Sequence, residues 1–247
     1  MLQRFRADLH VHTCLSPCAD LEMSPRKIVA EALRKGMRMV AICDHNSAEN
    51  VAAVKKAAEG SSLEVIPGLE VCSKEEVHVL ALFEFLGGAL EMQSLVYNHL
   101  AGQNDPEVFG VQVVANENDE VVSFQEKLLI GAVDLPIERI ICEVRRLGGA
   151  VIASHIDRES YSVISQLGFI PEGLRFDALE LTAHIDDAGA RRRYHDYMSS
   201  MFIRNSDAHL LADIGKNTCE YLLGAPLFQE LRKALSREDG RMVCGVN

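Results

Sequence analysis

In Asp8-Leu9-His10-Val11-His12-Thr13 polar and apolar residues alternate with period two. Side chains of a strand point alternately to its two faces. The pattern therefore predicts a strand with Asp8, His10 and His12 on one face and Leu9, Val11 and Thr13 on the other. Two imidazoles one residue apart can grip one cation, and a nearby carboxylate can orient one of them from behind. The same letters also describe a polar strand end with two unrelated histidines. The rest of the chain favours the metal: Asp44-His45, Glu70, His78, His155 and Asp207-Ala208-His209 follow, and most of them close a predicted strand.

Working outward, residues 5–12 form the first strand and Cys14-Leu15-Ser16-Pro17-Cys18 a loop. Ser24-Pro25 starts a helix, with serine at the N-cap and proline at the first helical position. Its apolar stripe is Ile28, Val29, Ala32 and Leu33, and Gly36 ends it. Residues 37–43 form an apolar run broken by Arg38, of strand length and as in a strand covered on both faces, and lead to Asp44-His45-Asn46. Ser47 is expected to cap a helix reaching about residue 59, and residues 63–69 form the strand that delivers Glu70. This is a β-α-β-α-β run with polar groups at each strand's C-terminal end, where parallel α/β folds place their sites.

His78 breaks the pattern, because it lies at the start of its strand, 77–83. A parallel strand would leave it at the wrong end. A hairpin repairs this: 70–73 runs up, Lys74-Glu75-Glu76 turns, and Val77-His78 returns antiparallel, facing Glu70. Residues 95–131 fit no β/α repeat and are read as an insertion. In it, 111–114 and 120–123 flank the turn-rich Asn116-Glu117-Asn118-Asp119. Further strands deliver His155 (150–154), carry Glu180 (177–182) and deliver Asp207 and His209 (201–206). Helices are expected over 137–147, 188–198 and 227–236. The expectation is a single domain over 1–247.

Composition limits the function. The chain has 247 residues, 25 basic and 36 acidic, for a net charge of −11. That disfavours duplex nucleic acid and anionic membranes, which need a basic face, although bound cations can reverse the sign locally. Seven scattered cysteines and a short polar start, Met1 to Arg6, predict no secretory leader, free thiols and a cytoplasmic setting. The longest apolar run, 77–90, contains His78 and Glu84 and is too short to span a bilayer.

Six pieces, DLHVHT at 8–13, ICDHN at 42–46, PGLE at 67–70, VHVLAL at 77–82, ASHIDR at 153–158 and NSDAH at 205–209, together resemble the polymerase-and-histidinol-phosphatase (PHP) superfamily. The resemblance implies a distorted (β/α)7 TIM-like barrel with two or three divalent metals, Zn, Mn or Fe, at the strand C-termini. It places His10, His12, Glu70 and Asp207 on the first metal, with Glu70 bridging to a second held by His78 and His155. His45 and His209 hold a third, with Cys18 standing where many members have another ligand. Cys18 is then either a zinc thiolate or a packed thiol. Glu70, Asp207 and His45 are the implied catalytic groups. Arg158 matches an arginine often found after this family's histidine and is the candidate phosphate clamp. Lys216 is a second candidate for binding substrate, and an ordinary solvated lysine is the rival reading.

The implied activity is a metal-dependent phosphoesterase. It acts on a small phosphorylated metabolite, of nucleotide or histidinol-phosphate type, through metal-activated hydroxide. The alternatives are a nuclease or proofreading-type exonuclease, a metal-dependent amidohydrolase, and a non-catalytic metal-bound regulatory domain. Asp44 is expected to orient a ligand, and Glu180 either to face the pocket or to form a salt bridge. His184 is a candidate for the pocket lining. His99 and His195 are read as surface residues, and Cys14, Cys43, Cys72 and Cys142 as small buried hydrophobes.

Overall fold

The computed structural model describes residues 1–245; the last two residues of the expected 1–247 domain lie outside the described residues. The elements are β1 (Gln3–Val11), α1 (Pro25–Arg34), β2 (Met39–Ile42), α2 (Val51–Ala57), β3 (Glu64–Cys72), β4 (His78–Leu82), α3 (Leu86–His99), α4 (Pro106–Phe109), β5 (Val113–Ala115), β6 (Val121–Phe124), α5 (Ile137–Arg146), β7 (Ala150–Ala153), α6 (Val163–Leu167), β8 (Ala178–Leu181), α7 (Asp187–Arg193), β9 (Phe202–Arg204), β10 (Cys219–Leu223), α8 (Phe228–Leu235) and β11 (Met242–Cys244). One nine-stranded sheet runs β11-β10-β1-β2-β3-β4-β7-β8-β9. Its last seven members curl into a nearly closed barrel of the TIM-like type. β4 alone runs against its barrel neighbours, pairing antiparallel with β3 and β7. Cys72 lies opposite His78, so the hairpin expected from the position of His78 is present.

Alternation along the strands builds two cores. Ala41, Ile66, Leu80, Ile152, Ala178 and Ile203 belong to a cluster filling the barrel, and Phe228 and Leu231 of α8 join it. Val40, Val65, Val79, Val151 and Leu179 point outward into a second cluster with Ile28, Val54 and Ile140 of the surrounding helices. Each fully buried Val, Leu or Ile contributes about 1.5–3 kcal/mol. Gly68 lies inside the barrel two residues before Glu70. A Cβ there would meet Leu82 Cδ2 at 2.8 Å and Cys43 Sγ at 3.1 Å, so glycine lets β3 pack tightly below the site.

The barrel closes differently at its two ends. The first half of β1, Gln3 to Ala7, pairs with β10. At the other end the chain after β9 meets β1: His12 N–H donates to Ala208 O at 3.0 Å, and Ala208 N–H donates to His10 O at 3.1 Å. A bulge sits between these halves, because Asp8 pairs with Val40 but Val11 with Ile42. Three residues of β1 span two of β2. This corrects the reading of Asp8 and Leu9: Asp8 and Val11 share the outer face, Leu9 belongs to the cluster filling the barrel, and His10 and His12 turn inward beyond it. Bulges re-aim side chains in this way beside functional sites.

Helix α1 begins at Pro25 after Ser24, as expected, but the Ser24 hydroxyl makes no capping bond. α2 starts at Val51 with Asn50 at its N-cap, not at Ser47. The Ser47 hydroxyl instead bonds with Tyr97 Oη at 2.8 Å. α3 runs to His99, so the segment outside the barrel pattern begins at Leu100 rather than at 95. Its hairpin, β5 with β6, is antiparallel as expected. Asn50 ties it down: its amide donates to Thr13 Oγ1 at 2.9 Å and Val113 O at 3.0 Å and accepts from Ala115 N–H at 2.9 Å. Among the described residues no helix is long and apolar enough to cross a membrane.

Candidate metal centre

The C-terminal ends of the parallel barrel strands, and the N-terminal end of the antiparallel β4, deliver a ring of side chains around Glu70. His10 Nε2, His78 Nδ1 and His155 Nε2 stand 3.3, 3.2 and 3.3 Å from Glu70 Oε1. His45 Nδ1 and His12 Nε2 stand 3.1 and 3.6 Å from Glu70 Oε2. Asp207 Oδ1 is 3.3 Å from His10 Nε2, 3.2 Å from His12 Nε2 and 3.5 Å from His209 Nδ1. Alternation would send His155 outward with Val151 and Ala153. A left-handed φ of 29° turns it in, and Asp207 has φ 50°. Such backbone costs on the order of 1–3 kcal/mol per residue and persists only where its surroundings impose it.

These groups fit divalent cations. Glu70 Oε1, His78 Nδ1, both ring nitrogens of His155 and both Asp207 oxygens are buried without an aligned hydrogen bond. An unsatisfied buried polar group costs about 1–3 kcal/mol, and ligation removes that cost. The ligand atoms fall into three overlapping sets: His10–His12–Glu70, His45–Glu70–His78 and His12–His45–His209. This differs from the division the resemblance implies, because His45 also sits with Glu70 and His78, and His12 joins His45 and His209.

Behind the ring, other residues fix its members. Glu180, buried, approaches His10 Nδ1 at 3.0 Å and accepts from Asn205 Nδ2 at 2.7 Å and His155 N–H at 2.9 Å. A carboxylate on the far nitrogen holds an imidazole with its other nitrogen toward a metal. Sequence reasoning left Glu180 undecided between facing the pocket and forming a salt bridge. His12 Nδ1 lies 2.9 Å from Ser16 Oγ, which donates to Asp44 Oδ1 at 2.7 Å. One device recurs three times, a carboxylate accepting both N–H and O–H of one hydroxyl residue: Asp44 on Thr13, Asp157 on Thr182 and Asp8 on Ser206. The last clamp fastens the residue before Asp207.

The charges reinforce one another. Burial opposes a proton on His10, but Glu180, Asp207 and Glu70 outweigh it and raise its pKa well above the ordinary value. Burial lifts Glu70, yet His78 and His10 hold it well below the carboxylate range. Burial and the neighbouring His209 push His12 well below the usual imidazole value. Cys18 lies beside His209 and His45; burial of its sulfur raises the pKa, and hydrogen bonds with those two rings outweigh this and bring it to about 6.

A cavity of about 530 Å³ opens over the centre, lined by Cys18, His45, Glu70, His78, Arg158, Tyr161, Asp207 and His209, with Ile130 from the inserted segment. Arg158 Nη1 is 2.9 Å from Asp207 Oδ2, with its side chain 45% exposed. Lys216 is not among the lining residues; it pairs with Asp213 at 2.6 Å on the surface. Its long stem follows the local helical turn, where Asp213 lies three residues back. His184 is exposed and lines a smaller cleft beside Glu180 and Arg158. Cys142 is exposed, contrary to expectation, because it falls on the solvent side of α5.

The model of the PHP domain matches residues 8–147. The chain belongs to the PHP domain family. Solved structures share the fold of this PHP chain. The lesion-specific endonuclease Q of Pyrococcus furiosus is 21% identical with a TM-score of 0.73, over 98% of this chain and 58% of its own. A Bifidobacterium adolescentis protein assigned as a metal-dependent phosphoesterase is 18% identical with a TM-score of 0.62, over 94% and 96%. Among curated relatives, a 5′-3′ exoribonuclease of Haemophilus influenzae is 31% identical over 78 residues, so the match spans 30% of this chain and 27% of that enzyme. One comparison overturns an expectation. An endonuclease Q complex, 20% identical with a TM-score of 0.69 over 97% of this chain and 58% of its own, holds a 27-mer duplex with an abasic lesion at its active site. Acidic net charge is therefore no ground for setting duplex nucleic acid aside. It averages over the whole surface, whereas a polyanion meets only the mouth of a site, where cations set the sign.

Proposed function

We propose that this PHP domain is a metal-dependent phosphoesterase using two or three divalent cations. The observation that carries this is the set of buried, unbonded donor atoms on Glu70, His78, His155 and Asp207, with an exposed guanidinium at their rim. His10, His12, Glu70 and Asp207 would hold one ion, Glu70, His78 and His155 a second, and His45 and His209 with Cys18 a third. Imidazole and carboxylate donors suit zinc, manganese or iron. Bound cations would supply Lewis acidity that makes water nucleophilic near neutral pH and screen phosphate oxygens.

The chain's own residues do the rest. Glu70 spans the centre and Asp207 joins it to Arg158. The Arg158 fork offers two parallel hydrogen bonds to phosphate, and His45 closes the cavity wall. The chain is proposed to work as one domain, in a reducing cytoplasmic setting that keeps its thiols free. The substrate is a phosphorylated metabolite. A nuclease is the second reading, favoured by the duplex at the active site of the endonuclease sharing this fold.

The experiment is phosphate release by metal-loaded protein from a panel of phosphomonoesters and bisphosphates, with oligonucleotide cleavage scored on a gel. Activity lost to chelator and restored by added metal is expected. Hydrolysis of amides but of no phosphate ester would overturn the reading.

A further inference from the structure

Tyr161 has no part in holding an ion, yet its geometry is unusual. Its ring stacks on His78 with centroids 4.6 Å apart and planes 23° apart. It is 40% exposed, lines the cavity, and has φ of 57°. A bulky side chain in the left-handed region is an outlier that its surroundings must impose. Here the loop imposes it. His78 N–H donates to Tyr161 O at 2.9 Å, and Ser162 Oγ donates to Arg158 O at 2.9 Å. Arg158 and Tyr161 are thereby held at a set separation on one wall of the cavity.

His78 covers one face of the Tyr161 ring, and the residue lines the cavity. The His78 ring contacts Glu70 and the Tyr161 ring stacks on the His78 ring, on the wall of the cavity. We propose that Tyr161 is a substrate-positioning residue: a planar heterocycle of nucleobase size, carried by the phosphate ester, stacks on its outer face while Arg158 takes the phosphate. This rests on the phosphoesterase reading. Stacking on an aromatic ring tolerates any base, because every base has a π-face. The platform selects for the presence of a base rather than for its identity. A cavity of about 530 Å³ lies inside the range of roughly 300–1,000 Å³ typical of small-ligand sites. An imidazole-bearing ester offers the same planar chemistry in smaller form, and the test separates the two.

The test uses the metal-loaded full chain with adenosine 3′- and 5′-monophosphates, ribose 5-phosphate and histidinol phosphate. In the native protein, kcat/KM for the better adenosine ester should exceed that for ribose 5-phosphate about tenfold, mostly through KM. Tyr161→Leu should bring that ratio near one with unchanged metal content, and Tyr161→Phe should retain it. Equal kcat/KM with and without a base in the native protein overturns the proposal. So does a Tyr161→Leu variant that loses metal and slows all substrates alike, since that is a role exerted through His78. Preference for histidinol phosphate over both adenosine esters also overturns it. If Tyr161→Leu does not fold, the native ratio and Tyr161→Phe still decide. If no ester is hydrolysed, the phosphoesterase reading fails, and the platform is judged by calorimetric binding. Adenosine 5′-monophosphate should then bind about tenfold tighter than ribose 5-phosphate, and equal affinities overturn it.

Discussion

Glu180 reaches the centre through His10 Nδ1, Asn205 and the His155 backbone. Glu180→Gln keeps the shape and removes the charge that orients His10. Metal affinity should fall about 10- to 100-fold, measured by chelator competition, with the fold retained by circular dichroism. Native affinity in that variant would return Glu180 to an ordinary buried acid. Arg158→Ala should lose about 2–4 kcal/mol of transition-state stabilisation, by analogy with deletion of a single oxyanion donor. Arg158→Lys should fall between, since lysine offers a point charge rather than a fork. Both should keep their metals, and a native rate in Arg158→Ala would leave only its ion pair with Asp207. That the candidate ligands gather in one cluster was legible because histidines and carboxylates at strand ends have few structural uses. Asp8 was not, because period two assumes an unbroken strand, and nothing in Asp8-Leu9-His10 announces an extra residue between the pairs Asp8–Val40 and Val11–Ile42.

At the scale of elements, β3 has no room for a side chain at Gly68. Gly68→Ala would set a methyl against Leu82, Cys43 and the Ala81 carbonyl. The expected cost is about 1–3 kcal/mol, as for other overpacked cores, read as a lower denaturation midpoint. Because Glu70 is two residues on, metal retention should fall with it. A native midpoint would show that Leu82 yields without cost. The β3–β4 hairpin was legible from one fact, a ligand-type histidine at the wrong end of its strand. The start of α2 was not. Ser47 and Asn50 are equally good caps by residue type, and the choice depends on Tyr97, Gln93 and the inserted hairpin, which are distant in sequence. β10 and β11 went unread because each is short and gains its place by pairing with chain far away.

For the molecule as a whole, folding draws donors from six barrel strands and their following loops into one buried cluster. Ions that bind only the folded form stabilise it by about 2.7 kcal/mol at a hundred times the dissociation constant. Stripping the metals should therefore lower the thermal midpoint by about 5–10 °C, at roughly 2–4 °C per kcal/mol for a chain of this size. Calorimetry before and after chelation would measure it, and identical midpoints would show that the cluster is held apart without ions.

The uneven closure of the barrel has a kinetic meaning. β10 grips the first half of β1, whereas its end is tied to the chain after β9 by two backbone hydrogen bonds with Ala208, the Asp8 clamp on Ser206 and a bond from Leu9 N–H to Asn205 Oδ1. None of these few bonds belongs to the sheet ladder, so breaking them would part the loop bearing Asp207 and His209 from His10 and His12 while the nine-stranded sheet stays intact. Local opening needs less free energy than global unfolding, so ions should enter and leave at the tempo of this seam. In deuterium exchange the His12 and Ala208 amides would keep that time: fast in stripped protein, slow once loaded, while the amides of β2 and β3 hold steady throughout.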